Sequence, residues 1–172
     1  MSAWFTSDTH FGHKNIIEYS ARPFRTLDGQ LDVLAMNEAL IRNWNERVRP
    51  GDTVYHLGDF AMGKAEDLPG YVARLNGRKE LVLGNHDRNP RVMLKAGFDV
   101  IHKSLTLKLD GLTLFMRHHP VGPQEVMPYC DLFLHGHVHQ EWARRGKLVN
   151  VGVDVSGYRP LSLAELLARD PA

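Results

Sequence analysis

The sequence has 172 residues, of which 43% are hydrophobic and 24% charged, a composition typical of a globular protein and not of a disordered or fibrous chain. Its 21 Lys and Arg residues against 20 Asp and Glu residues give a net charge of +1, so no global basic field favours nucleic acid or an anionic membrane as partner. A lone cysteine, Cys130, cannot form an intramolecular disulfide, which favours a cytoplasmic protein over a secreted one. We expect one domain over residues 1–172, with neither a signal peptide nor a transmembrane helix.

The first half of the chain predicts short strands that alternate with helices. Apolar runs of strand length occupy residues 3–5, 53–55 and 81–83. Apolar residues at helical intervals predict an amphipathic helix over 28–48. Further helices are expected over 65–75 and after Pro90.

The second half predicts hairpins and a final helix. Alternating residues over 105–109 and 112–116, joined by Asp110-Gly111, are typical of an antiparallel hairpin, and 132–134 predicts another strand. Residues 144–147 are typical of the polar turn of a further hairpin. Ser162 and Glu165 stand in capping-box register before a helix over 163–169, with Pro171 beyond its end. Together the elements predict an α/β sandwich with a mixed β-sheet.

Five apolar runs lead directly into side chains that bind metals or transfer protons. In chain order the groups are Asp8-Thr9-His10, Gly58-Asp59, Gly84-Asn85-His86-Asp87, His118-His119-Pro120 and His135-Gly136-His137-Val138-His139. Ligands of open α/β sheets bind outside the carboxyl ends of the strands, so we expect these groups to converge. Carboxylates, imidazoles and an amide without a thiolate suit Mn, Fe, Zn, Ni or Co and exclude a sulfur-built structural zinc site.

Each group taken alone also has an explanation that involves no site. Asp-x-His is a common surface pattern, and Gly-Asp and Gly-Asn-His-Asp are ordinary turn sequences. Three imidazoles within five residues are also typical of a solvent-exposed histidine-rich tract. The block 152–158 either lines the same pocket or closes the sheet.

In this order, the five groups resemble the motifs of the calcineurin-like metallophosphoesterase family, across residues 8–139. The first block, 6–13, is similar to that of small bacterial and phage-type phosphoesterases in the family. The resemblance implies a four-layer αββα sandwich of mixed β-sheets with the metal site at the carboxyl ends of strands. It also implies a hydrolase that cleaves phosphodiester or phosphomonoester bonds with a hydroxide bridging two divalent transition metals. Manganese is the first choice of metal, with Fe, Zn, Ni or Co as alternatives.

The resemblance assigns roles residue by residue. One metal would be held by Asp8, His10, Asp59 and His139, and the other by Asp59, Asn85, His118 and His137. His86 would protonate the leaving oxygen, and Asp87 would either orient the His86 ring or cap a helix. In His118-His119-Pro120 the ligand position falls on His118, but the register could slip by one residue to His119.

The substrate is less defined than the chemistry. Arg22 and His13 are candidate substrate contacts, since a guanidinium can bind phosphate through two hydrogen bonds, although each is equally compatible with a surface role. The block 58–63 lacks the arginine that Ser/Thr protein phosphatases of the family carry after Gly-Asp, which argues against that activity. Modest segments separate the motifs, so we expect an open site.

We therefore expect a small phosphate ester or a nucleotide as substrate, with a diester favoured, and neither a membrane nor a long nucleic acid as partner. The alternative is a non-catalytic metal-binding scaffold of the same fold. The sequence contains His86, the expected proton donor, as well as every expected ligand, which argues against a non-catalytic scaffold.

Overall fold

In a computed structural model that describes residues 1–170, the chain forms two five-stranded β-sheets and a set of short helices. The strands are β1 Ala3–Thr6, β2 Thr53–His56, β3 Arg78–Val82, β4 Val100–His102, β5 Leu105–Leu109, β6 Leu112–Met116, β7 Leu132–His135, β8 Arg144–Arg145, β9 Leu148–Asn150 and β10 Leu161–Ser162. The α-helices are α1 Ile16–Tyr19, α2 Val33–Asn45, α3 Leu68–Val72, α4 Pro90–Ala96 and α5 Leu163–Ala168. Short 3₁₀ helices cover Ala65–Asp67, Pro123–Glu125 and Val153–Val155.

Both sheets are mixed, which confirms the predicted α/β class. The first sheet has the order β10-β1-β2-β3-β4, with β1 to β4 parallel and β10 antiparallel at the edge. The second has the order β5-β6-β7-β9-β8, in which β6, β7 and β9 are parallel. The antiparallel arrangement expected for this half therefore holds only for the edge pairs β5–β6 and β8–β9.

Successive side chains of a strand point to opposite faces of its sheet, and this alternation divides the core into layers. In β3, Leu81 packs toward α2 and α4, whereas the next residue, Val82, faces the second sheet, and both are fully buried. Trp44 of α2 belongs to the first of these layers. The outer face of the second sheet is covered by 121–130, whose helical turn is Pro123–Glu125, so the fourth layer of the sandwich is thin.

Two of the predicted helices are shorter than the sequence pattern indicates. The helix α2 begins at Val33 because the Asp32 carboxylate accepts a hydrogen bond from the backbone N–H of Ala35 at 2.9 Å and caps it. Residues 25–31 instead form a tight antiparallel turn in which Arg25 pairs with Leu31. The expected helix over 65–75 is divided into a 3₁₀ helix and α3, with Pro69 in the first turn of α3, where a missing N–H is tolerated.

The remaining local signals are confirmed. Ser162 and Glu165 form the predicted capping box at α5, while Pro171 lies outside the described residues. Asp110 and Gly111 have φ of 49° and 81° and close the β5–β6 hairpin. No helix within residues 1–170 is long and apolar enough to cross a membrane.

The parallel strands place the five chemical groups at one edge of the sandwich. Each of β1, β2, β3, β6 and β7 is followed directly by one of the groups that the sequence singled out. Backbone hydrogen bonds tie these loops together, from Asp8 N–H to the Gly58 carbonyl at 2.9 Å and from Gly136 N–H to the His118 carbonyl at 2.9 Å. The fold therefore gathers residues separated by up to 131 positions in the sequence, Asp8 and His139, at a single site.

Candidate metal centre

The seven expected ligands lie together at the carboxyl edge of the strands. Three sets of side chains have ligand atoms within 4.8 Å of one another: Asp8, His10 and His139; Asp8, Asp59 and His118; and His118, His119 and His137. Asp59 joins the sets, because its Oδ2 lies 3.7 Å from His10 Nε2 and 3.4 Å from His118 Nε2. Asn85 completes the arrangement, with its Oδ1 3.0 Å from His118 Nε2 and 3.1 Å from His137 Nδ1.

The backbone of this site is unusual. Asp8, His10, Asp59, His137 and His139 have φ of 58°, 50°, 56°, 71° and 45°, in the left-handed region that residues other than glycine rarely adopt. They are five of the eight such residues in the described part of the chain. Strained conformations persist only where the surrounding structure imposes them, and they concentrate at functional sites.

Close approach of the loops depends on glycine. A Cβ at Gly58, which has φ of +96°, would lie 2.6 Å from the Gly84 backbone and 2.7 Å from His118 Nδ1. A Cβ at Gly136 would collide with the Ser7 hydroxyl and the Asp8 carboxylate. These positions therefore admit no larger residue without displacing a candidate ligand.

Hydrogen bonds orient two of the imidazoles toward the centre. The Nδ1–H of His118 donates to the Leu57 carbonyl at 2.7 Å, so Nε2 faces the oxygens of Asp59 and Asn85. Likewise, Nδ1–H of His139 donates to Asp154 Oδ2 at 2.8 Å, leaving its other nitrogen available as a ligand. A lone pair facing carboxylate and amide oxygens requires a proton or a cation between them.

His10 gives the most direct test of whether a metal fits. Its Nε2 is buried without a hydrogen-bond partner among the described residues, and the Asp59 oxygen at 3.7 Å is too distant to serve as one. A buried polar atom without a partner normally destabilises a fold. A divalent cation between His10, Asp59 and Asp8 would satisfy this nitrogen, so the donor set fits a metal.

The pKa values of Asp8, His10 and Asp59 agree with that role at neutral pH. Burial raises the pKa of Asp8 to about 6 and lowers the pKa of His10 far below its usual value. Burial also opposes ionisation of Asp59, but the hydrogen bond and charge of His118 outweigh burial and hold the Asp59 pKa below its usual range. Ionised carboxylates and a neutral imidazole are the forms that ligate cations. Burial opposes protonation of His118 and His139, but Asp59 and Asp154 respectively outweigh burial and raise the two pKa values, so a bound cation would displace a proton from these rings.

Asp87 has a different role from the two that the sequence suggested. Its carboxylate accepts hydrogen bonds from the backbone N–H groups of Asp59 at 2.9 Å, Phe60 at 2.9 Å and Gly84 at 2.8 Å. Its carboxylate forms no hydrogen bond with the His86 ring, and the helix that follows, α4, is capped by Asn89. Asp87 instead ties the loop after β2 to the loop after β3 and so holds Asp59 in place.

The expectation that Arg22 contacts phosphate is also corrected. Its side chain is fully buried, and its guanidinium forms a bidentate pair with Asp154 at 2.7 and 3.0 Å. It also donates to the carbonyls of Asp8 and Thr9. With its donors engaged inside the protein, Arg22 cannot reach a substrate in the cleft.

His13 and His86 do lie in a cleft beside the expected metal ligands. The cleft has a volume of about 320 Å³ and is lined by both side chains together with three of the expected ligands, His10, His137 and His139. The His86 ring is exposed and its centroid is 5.6 Å from that of His10, while its backbone N–H donates to Asp59 Oδ1 at 2.9 Å. His13 Nδ1 is 3.4 Å from His10 Nδ1.

Asp154 is the residue at this site that sequence reasoning left undecided. It follows β9, and the run 148–151 before it is apolar or strand-forming like those before the five chemical groups. That pattern was an available signal. By contrast, no sequence signal placed the exposed Tyr19 in the wall of the cleft.

The structure favours His118 over His119 as the ligand in the His-His-Pro block. His118 is buried and faces Asp59, whereas His119 is half-buried and packs against the His137 ring with centroids 4.1 Å apart.

We therefore predict that His118→Ala loses bound metal, while His119→Ala retains nearly the wild-type metal content. Metal analysis of the purified, manganese-loaded variants measures this, and the reverse pattern would shift the ligand register by one residue.

The family model for the calcineurin-like phosphoesterase superfamily domain matches residues 1–158. An uncharacterized protein of Methanocaldococcus jannaschii is 36% identical over 170 residues, covering 93% of this chain and 86% of that protein.

Solved structures show the same fold. A protein of unknown function from Aquifex aeolicus is similar with a TM-score of 0.74 and 31% identity, over 95% of this chain and 96% of that one. A structure described as a novel archaeal phosphodiesterase is similar with a TM-score of 0.53 and 19% identity, over 88% and 82% of the two chains. Because the family model covers nearly the whole sequence, the chain belongs to the calcineurin-like phosphoesterase superfamily.

Proposed function

We propose that this protein is a dinuclear metal-dependent phosphoesterase, with manganese as the first metal to test. The observation that carries the proposal is the position of the Asp59 carboxylate between His10 and His118. One carboxylate within reach of two separate imidazole groups supports two adjacent cations that share it as a ligand. The unpartnered His10 Nε2 supports the first position, and Asn85 with His137 supports the second.

Two divalent cations at these positions would polarise the phosphoryl oxygens and lower the pKa of water for attack on phosphorus. The chain's own contribution is the orientation of the ligands and a proton donor. His86 is exposed in the cleft next to His10, in a position to donate a proton to the leaving oxygen. We propose that His13, which lines the same cleft, donates a hydrogen bond to a non-bridging phosphate oxygen.

We propose a phosphodiester with a planar group, such as a nucleotide, as the substrate. Tyr19 is 68% exposed in the wall of the cleft, and its ring centroid is 6.2 Å from that of His13. Ile16 and Val138 extend the apolar side of the wall, and Gln140 adds a polar amide. A phosphate at the metal centre would leave a base free to stack on Tyr19.

A scaffold without catalysis is the second candidate, and the solvent-exposed His86 argues against it. A binding protein would have no use for a proton donor in the cleft beside His10.

We also propose that the protein works in a reducing, cytoplasmic setting. Its single cysteine, Cys130, is free and buried, which supports this proposal.

We predict that the manganese-loaded protein hydrolyses the phosphodiester of a dinucleotide, whose alkoxide leaving group needs a proton, and that His86→Ala lowers kcat for this ester by roughly 10²- to 10⁴-fold. The loss should be much smaller with bis-p-nitrophenyl phosphate, because p-nitrophenolate leaves without protonation. Metal content should stay unchanged, because His86 is not among the expected ligands. His102→Ala is the matched control, since this imidazole pairs with Glu80 at 2.8 Å on the edge strand β4. Two bound metals without turnover of either ester in the wild type would favour the scaffold, and a His86→Ala variant as active as the wild type on the dinucleotide would remove the role of His86 as the acid.

We predict that Tyr19→Ala raises KM about tenfold for thymidine 5′-(p-nitrophenyl phosphate) through loss of base stacking. KM for methyl p-nitrophenyl phosphate, which has the same leaving group and no base, should not change. Tyr19→Phe keeps the ring and should behave as the wild type with both esters. Equal effects of Tyr19→Ala on the two esters, or no effect on either, would contradict a base-binding wall.

A further inference from the structure

The buried ion pair of Arg22 and Asp154 is placed against the metal centre. Arg22 Nε lies 2.7 Å from Asp154 Oδ1 and Nη2 lies 3.0 Å from Oδ2, and the two side chains are 0% and 1% exposed. This is the planar, two-bond geometry that a guanidinium forms with a carboxylate and a lysine cannot reproduce.

The pair contacts two of the three loops that supply the first metal position. Asp154 Oδ2 also accepts the Nδ1–H of His139 at 2.8 Å, in the loop after β7. Arg22 donates through Nη2 to the Asp8 carbonyl at 2.8 Å and through Nη1 to the Thr9 carbonyl at 3.0 Å, in the loop after β1. Those carbonyls lie in the segment where Asp8 and His10 adopt left-handed backbone angles.

We propose that Arg22 and Asp154 are positioning residues for the metal held by Asp8, His10, Asp59 and His139, a role that rests on the proposed metal centre. Asp154 fixes the proton of His139 on Nδ1, so that Nε2 is the nitrogen presented to the cation. Arg22 holds Asp154 in that orientation and, through the two carbonyls, maintains the turn that presents Asp8 and His10.

Stability alone is a weak explanation for this pair. A buried ion pair loses the hydration of both charges, and apolar residues of similar volume often serve a fold equally well. The contact to His139 and the contacts to the ligand loop are what an apolar replacement could not provide. The other predicted metal position, at Asn85, His118 and His137, receives no hydrogen bond from Arg22 or Asp154 within residues 1–170. The two positions should therefore respond differently to loss of the pair.

The test measures Co²⁺ binding by calorimetry and by visible absorption. The absorption spectrum of bound Co²⁺ reports the ligand geometry independently of turnover. Asp154→Asn keeps the shape of the side chain and should weaken one of two Co²⁺ equilibria by roughly 10- to 100-fold, with the other unchanged. Glu80→Gln is the matched control, because Glu80 also binds an imidazole, that of His102, at 2.8 Å. It should leave both equilibria unchanged. Thermal unfolding of the metal-free variants monitors the fold.

A cycle with His139→Ala separates positioning from general destabilisation. If Asp154 acts through His139, Asp154→Asn should change Co²⁺ binding little further once His139 is removed. Wild-type affinity for both Co²⁺ ions in Asp154→Asn, or equal losses with and without His139, would overturn the inference. Two Co²⁺ ions bound by a wild type that hydrolyses no ester would overturn the proposed activity and leave this inference standing. A wild type that binds no Co²⁺ would overturn both.

Discussion

The site depends on the carboxylate of Asp59, because it lies between the imidazoles of His10 and His118, which belong to two different loops. Acceptor atoms this close, and largely withdrawn from water, repel one another unless a proton or a cation lies between them. The surrounding structure serves to keep them close. Asp87 binds three backbone N–H groups of the adjoining loops, and glycines at the loop crossings leave room for the backbones to approach.

The backbone conformations at the strand ends also indicate a functional site. A stable sandwich of this size could end its strands in relaxed turns, yet Asp8, His10, Asp59, His137 and His139 all have positive φ. Residues with a Cβ adopt this region at some cost, so their concentration at one edge indicates a geometry kept for its chemistry. The fold alone would not establish a phosphoesterase, since similar folds support many activities. The side chains at the strand ends provide the functional evidence.

Sequence reasoning selected side chains that the structure brings together, because each follows an apolar run that the local pattern predicts as a strand. It could not assign the carboxylates Asp87 and Asp154, because a ligand, a loop brace and a partner of histidine have the same local chemistry. Only the long-range contacts distinguish them: Asp87 meets the loop after β2, and Asp154 meets Arg22, which lies 132 residues away. The parallel pairing of β6, β7 and β9 was missed for the same reason, since hairpin signals are local and crossover connections are not. The start of α2 was misplaced because periodicity continued past the Asp32 cap.

The most direct test of this account is anomalous scattering from crystals of the protein soaked in manganese. We expect two manganese peaks about 3.5 to 4 Å apart, with the Asp59 carboxylate between them. His10 and His139 should contact one peak, and His118 and His137 the other. A single peak, or two peaks that do not share Asp59, would contradict the dinuclear centre.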